Sequence, residues 1–199
     1  MKYITAIILI LCLLDGYSQD FNANIYTGLA ASQIDGDTYS GYNKAGLIIG
    51  GNINRYFHKK WNWQMGLRYI QKGSKYTNTK NGVYYKCQLH YLEVPLTINY
   101  KYYNKVSFEA GVSLGYLIKA LEDKDGYGLI DANPQFNNFE FSGIAGLYYH
   151  FTDKLKIGAH YSYSILTIRP FTNGYSTFID GGQHNNILYF ALYYKLPSL

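Results

Sequence analysis

A chain of 199 residues with 24 Tyr, 20 Gly, 4 Pro and only 16% charged residues is rich in strand formers and poor in helix formers. Its net charge of +5 is carried by scattered Lys and Arg, with Lys59 and Lys60 the longest run, so no phosphate-tracking stripe exists and nucleic acid is excluded as a partner. Two cysteines, one inside an N-terminal apolar run, exclude an intramolecular disulfide in the processed chain and any cysteine-based metal site.

In chain order, Lys2 precedes an apolar run from Ile4 to Leu14 that is broken only by Thr5, and small and polar residues follow. A basic start, a short apolar stretch and small residues before the exit predict a secretory signal peptide over residues 1–19. The run is too short for a membrane anchor, which needs about 20 apolar residues. Cys12 has Leu11 before it, where a lipoprotein site wants a small residue. Removal of the leader takes one Lys and one Asp, so the net charge stays +5.

Residues 20–199 then read as one domain of recurring two-residue alternation, the mark of a strand with two unlike faces. The clearest case is residues 106–118, where Val106, Phe108, Val112, Leu114 and Tyr116 oppose Ser107, Glu109, Gly111, Ser113 and Gly115. The same division predicts strands over 21–31, 44–54, 61–69, 91–100, 139–151, 155–165 and 186–196. Short connections (55–60, 103–105, 152–154) alternate with long ones (32–43, 72–86, 121–138, 167–185). Eight antiparallel strands with short turns at one end and long loops at the other describe an up-and-down transmembrane β-barrel. Closure matters because lipid cannot satisfy an unpaired backbone amide.

Alternation alone does not say which face points outward, since a soluble barrel has its apolar face inside. Two features favour apolar-out. Glycines and serines dominate the polar face, as a narrow lumen requires. Aromatic residues also gather at both ends of the apolar face: Trp61, Trp63, Tyr100, Tyr149 and Tyr194 near the short turns, and Tyr69, Tyr116, Phe139, Phe141 and Tyr163 near the long loops. Two aromatic girdles around an aliphatic band are what bilayer interfaces select. Outer-membrane lipid is therefore the expected surrounding. Arg68, Glu93 and Glu109 fall on the polar faces of consecutive strands and are expected to form a lumenal charge cluster that plugs and registers the barrel. Pro95, unable to donate a ladder hydrogen bond, is expected at a bulge.

Several stretches resemble a known family. Residues 63–74 (WQMGLRYIQKGS), residues 89–96 (LHYLEVPL), residues 109–117 (EAGVSLGYL) and residues 158–163 (GAHYSY) are similar to strand motifs of PorT-like outer-membrane β-barrel proteins of Bacteroidetes-type bacteria. His160 stands where that family commonly has Arg, and the chain ends in Lys195, Leu196, Pro197, Ser198 and Leu199 rather than in an aromatic. The resemblance implies an outer-membrane barrel and does not imply a shared activity. PorT itself belongs to a protein-secretion system, so envelope or secretion-system proteins are candidate partners.

Two other function classes compete with a non-enzymatic role in envelope structure, surface interaction or export and assembly. One is transport of a small hydrophobic molecule through a lateral opening. The other is a lipid A-modifying hydrolase, because the spacing of His160 and Ser162 is similar to that of PagL-type deacylases, in which a histidine activates a serine. That chemistry needs the pair on the lipid-facing side, and the alternation puts it in the lumen. The five histidines show no metal-ligand spacing, and no metal or cofactor is expected.

Overall fold

Tyr, Val, Ile and Thr on a period of two drive the chain into long strands, and those strands close on themselves. The computed structural model describes residues 21–78, 82–124, 126–170 and 181–197, so the predicted leader over residues 1–19 lies outside the described residues. The strands are β1 (Asn22–Asp35), β2 (Lys44–His58), β3 (Trp61–Asn78), β4 (Val83–Tyr103), β5 (Val106–Asp123), β6 (Ile130–Asp131), β7 (Phe139–His150), β8 (Leu155–Ser164), β9 (Arg169–Pro170) and β10 (Gly182–Lys195). Eight of them form an antiparallel ring in the order β1-β2-β3-β4-β5-β7-β8-β10, and β10 pairs back onto β1 from Asn24↔Lys195 to Asp35↔His184. The two-residue strands β6 and β9 attach to β5 and β10 on the loop side.

The outward face is apolar. Leu29 is 68% exposed, and Ile49, Leu67, Leu96, Leu114 and Phe190 are all more than half exposed. A continuous belt of such residues is far larger than the apolar patches that water-soluble monomers tolerate. The expected aromatics face outward and meet across strands: Trp61 lies 4.7 Å from Tyr100 near the short turns, and Tyr116 lies 5.4 Å from Phe139 near the loops. Trp63, Tyr69, Phe141 and Tyr163 are half-buried, while Tyr149 and Tyr194 are exposed.

Three expectations are corrected. Most of the loop expected over residues 72–86 is strand, because β3 and β4 stay paired out to Asn78↔Val83. Ser74, Cys87 and Leu89 continue the inward alternation there, so the hairpin buries side chains that composition alone assigns to a loop. No bulge sits at Pro95, whose pairing with Ser113 is in unbroken register. The register shifts of the β4–β5 pair fall instead at His90/Tyr91, where Ile118 is the extra residue, and at Lys101/Tyr103. Finally, the lumen is not lined mainly by small residues. Tyr26, Tyr91, Tyr148, Tyr189 and Tyr193 fill it, with a layer of Ile34, Ile48, Ile70, Leu89 and Ile187 toward the loops.

Candidate functional site

The inward faces of β3, β4, β5, β7, β8 and β10 carry the chemistry, since strand alternation forces every second side chain into the lumen. On β3 this places Gln64, Arg68 and Lys72 in line, and on β4 Glu93, Thr97 and Asn99. Arg68 and Glu93 are direct cross-strand partners. The Arg68 Nε donates to Glu93 Oε2 at 2.7 Å, its Nη2 lies 2.6 Å from the same oxygen, and its Nη1 donates to Tyr189 Oη at 2.6 Å. Lys72 pairs with Glu93 on one side and with Glu140 Oε1, at 2.7 Å, on the other. Asn185 Nδ2 donates to the remaining Glu140 oxygen at 2.6 Å. Two cations and two carboxylates are thereby neutralised together, at 3% exposure or less. Charges this far from water persist only when paired and hydrogen-bonded.

The expected cluster is thus divided. Arg68 and Glu93 come together, but Glu109 belongs to a separate group nearer the short turns. Its Oε2 accepts from Tyr148 Oη at 2.6 Å, from Gln64 Nε2 at 3.1 Å and from Thr97 Oγ1 at 3.2 Å. His160 Nε2 stands 3.5 Å from its other oxygen. Sequence reasoning missed Lys72, Glu140, Asn185 and Tyr189. Lys72 falls in the stretch 72–86 whose composition reads as loop, while Glu140 stands on the polar face of its strand and is the signal available.

His160 and Ser162 are buried in the lumen, as the alternation required. The imidazole stacks on Tyr189 at 4.6 Å between ring centroids and meets Tyr148 edge-on at 4.9 Å. A Cβ on Gly146 would lie 2.2 Å from His160 Cδ2, and one on Gly158 would lie 2.3 Å from its Cε1. Two glycines on neighbouring strand positions therefore make the slot for this ring. No hydrogen bond joins His160 to Ser162 among the described residues, and neither side chain faces lipid. No group of three His, Cys, Asp or Glu side chains among the described residues could hold a metal ion.

The loop end has its own seal. The extra residue Ile118 flips the alternation of β5, so Glu122 points inward rather than out. Arg169 Nη1 lies 2.8 Å from Glu122 Oε1, which also accepts from Tyr85 Oη at 2.9 Å. Phe136 covers the guanidinium at 4.0 Å, and Ile168, Cys87 and Ala132 are buried in the same cluster as Phe136. Beside this seal, burial pushes the Asp37 carboxyl up to about 6, a shift only partly offset by the Tyr39 amide that donates to it at 2.8 Å.

A family model for the outer membrane protein beta-barrel domain matches residues 17–168. Among solved structures, Ail, the attachment invasion locus protein of Yersinia pestis, aligns with a TM-score of 0.52 at 15% identity, covering 88% of this chain and 99% of that one. Neisserial surface protein A, NspA, aligns with a TM-score of 0.60 at 11% identity, covering 87% and 97%. At these identities the likeness is one of fold. No curated protein matches the chain.

Proposed function

Because the chain belongs to the outer membrane protein beta-barrel domain family and so resides in an outer membrane, we propose that it is a non-conducting, non-enzymatic barrel that acts through its outer rim. The observation that carries this reading is the buried Arg68–Glu93–Lys72–Glu140 septum. Together with the aliphatic layer above it, the septum fills the lumen between the two mouths with buried side chains among the described residues. A pore for diffusing solutes needs a water-filled channel, which eight strands rarely leave open.

The rim supplies the alternative. A tilted span takes about 9–11 residues, and β3, β4 and β5 run to 18, 21 and 18 residues, whereas β8 has only 10. The surplus rises on the loop side as a raised wall, braced by the stack of Tyr39 between Tyr76 and Tyr85 at 4.9 and 4.7 Å. Tyr127 and Ile130, 96% and 71% exposed, project beside it. Exposed apolar side chains on a rigid scaffold are the features of a protein-contact surface. Envelope or secretion-system proteins are the partners this suggests, in keeping with the PorT-like motifs and a cleaved leader over residues 1–19.

The test is reconstitution of the purified protein in planar bilayers, with chemical cross-linking in native outer membranes alongside. The expected result is no step conductance, together with a cross-linked partner that is lost when Tyr127 and Ile130 are replaced by Ser. Stable single-channel openings would refute the non-conducting reading.

A further inference from the structure

The short-turn mouth opens into the lumen, and its chemistry is lopsided. It encloses about 500 Å³, within the range of roughly 300–1,000 Å³ typical of small-ligand sites. Lys101, Lys105, Lys154, Lys156 and Lys195 line it, against the single carboxylate of Asp153. None of the five ammonium groups forms an ion pair with a described carboxylate, in contrast to the septum further in. Glu109, the next acid inward, has one oxygen occupied by three donors and the other facing His160.

Amides supply much of the rest of the wall, interspersed with His150, Tyr56 and Thr152. Asn22, Asn24, Asn54, Asn62, Asn99 and Asn104 all line the cavity. Asn99 is 3% exposed, and neither its Nδ2 nor its Oδ1 has a hydrogen-bond partner. An unpaired buried amide is costly, and here it lies against a cavity with surplus positive charge. At the inner end Lys156 Nζ rests 3.8 Å from the centre of the Tyr148 ring, and Tyr148 donates to Glu109, so the cavity is a blind pocket and not a passage.

In an outer-membrane barrel the short-turn end faces the periplasm. We propose that this mouth is a periplasm-facing binding site for a soluble small molecule that bears two or more carboxylate or phosphate groups. The lysines attract and neutralise the anion, and the asparagines orient it by hydrogen bonds to its oxygens. A wall with one acid among five cations rejects cationic solutes, and neutral ones gain nothing from the charge. This inference rests on the barrel's orientation and does not depend on the loop-side contact surface.

The experiment uses the full processed chain, folded in neutral detergent and titrated calorimetrically with citrate, with inorganic pyrophosphate and with maltose. Expected are saturable, one-site binding of both anions and none of maltose, weakened at least tenfold between about 20 and 200 mM salt as screening requires. Lys101→Gln combined with Lys195→Gln should weaken both anions about tenfold or more. Lys59→Gln combined with Lys60→Gln, on a turn outside the cavity, should leave them unchanged. Heat-dependent gel mobility checks that each variant is folded, and the salt series on the unaltered protein stands if one is not. Absence of saturable binding at low salt, or binding retained in the folded mouth variant, would overturn the site. So would loss of citrate binding when phosphatidylglycerol is added to the micelles, which would assign these lysines to lipid headgroups.

Discussion

The two ends of the lumen are built from opposite inventories. At the loop end Glu122 is held by Arg169 and Tyr85, Phe136 covers the guanidinium, and aliphatic side chains close the remaining space. At the short-turn end five lysines and six asparagines surround one aspartate and an open volume. The difference follows from hydration. Where water is excluded, every charge must meet its opposite or the fold loses several kcal/mol; where water enters, an excess of one sign is tolerated. Stability therefore explains the inventory of the loop end, and it leaves that of the mouth unexplained.

The largest effect should come from breaking the septum that separates the two ends. Glu93→Gln removes the carboxylate shared by Arg68 and Lys72 and leaves Glu140 to answer both. The expected cost is about 3–5 kcal/mol, read from urea unfolding in detergent. Replacing Arg68, Lys72, Glu93 and Glu140 together by apolar residues of similar volume should recover most of it. A single-variant cost below about 1 kcal/mol would mean that water reaches the septum and that the two ends communicate.

Next comes packing just inside the mouth. Gly146→Ala would press its methyl group into the His160 ring, and overpacking of this kind costs about 1–3 kcal/mol. His160→Ala in the same chain should relieve the ring's share of the clash, leaving the Ala159 carbonyl at 2.9 Å, so the two changes together should cost less than the sum of each alone. Strict additivity would place the ring elsewhere in solution.

The loop end predicts a pH dependence. Asp37 has its carboxyl raised from 3.8 to about 6 by burial, so the folded chain binds this proton more tightly than the unfolded one. Its contribution to stability is complete below about pH 3.8 and is lost as pH rises through about 6. Acidification from pH 7 to pH 4 should therefore stabilise the parent relative to Asp37→Asn, by on the order of 1–2 kcal/mol. Urea midpoints of the two chains at both pH values measure this, and parallel pH profiles would show Asp37 to be solvated.

Much of this contrast could be read from the sequence. Alternation in residues 106–118 gives β5 its faces, and glycines opposite aromatics give the outward belt. Arg68 and Glu93 were recognisable because both sit on polar faces of adjacent strands in good register. Lys72 was not, because lysine, glycine and serine in residues 72–75 have loop composition and only cross-strand pairing makes them strand. Glu122 points inward through one extra residue at Ile118, and a strict period of two cannot anticipate a bulge. The tyrosine-filled interior escaped for a similar reason: Tyr148, Tyr189 and Tyr193 each stand next to an outward aromatic or apolar residue, so runs such as residues 147–149 and 188–194 carry no visible alternation.

The smallest expected effect is the most informative about the mouth. Lys101→Gln with Lys195→Gln removes two cations from a wall that already repels itself, and neither is held by an ion pair among the described residues. Surface changes of this sort move stability by less than about 0.5 kcal/mol, and relief of repulsion can make the sign favourable. Unfolding in urea at low and high salt separates the cases: if the lysines only repel, the variant gains on the parent at low salt and the gain vanishes as salt screens it. A loss of stability instead would show that the ammonium groups hold the turns in place, and the excess of positive charge would then have a structural cause. A neutral or stabilising outcome leaves ligand attraction as the physical reason for five cations around one carboxylate.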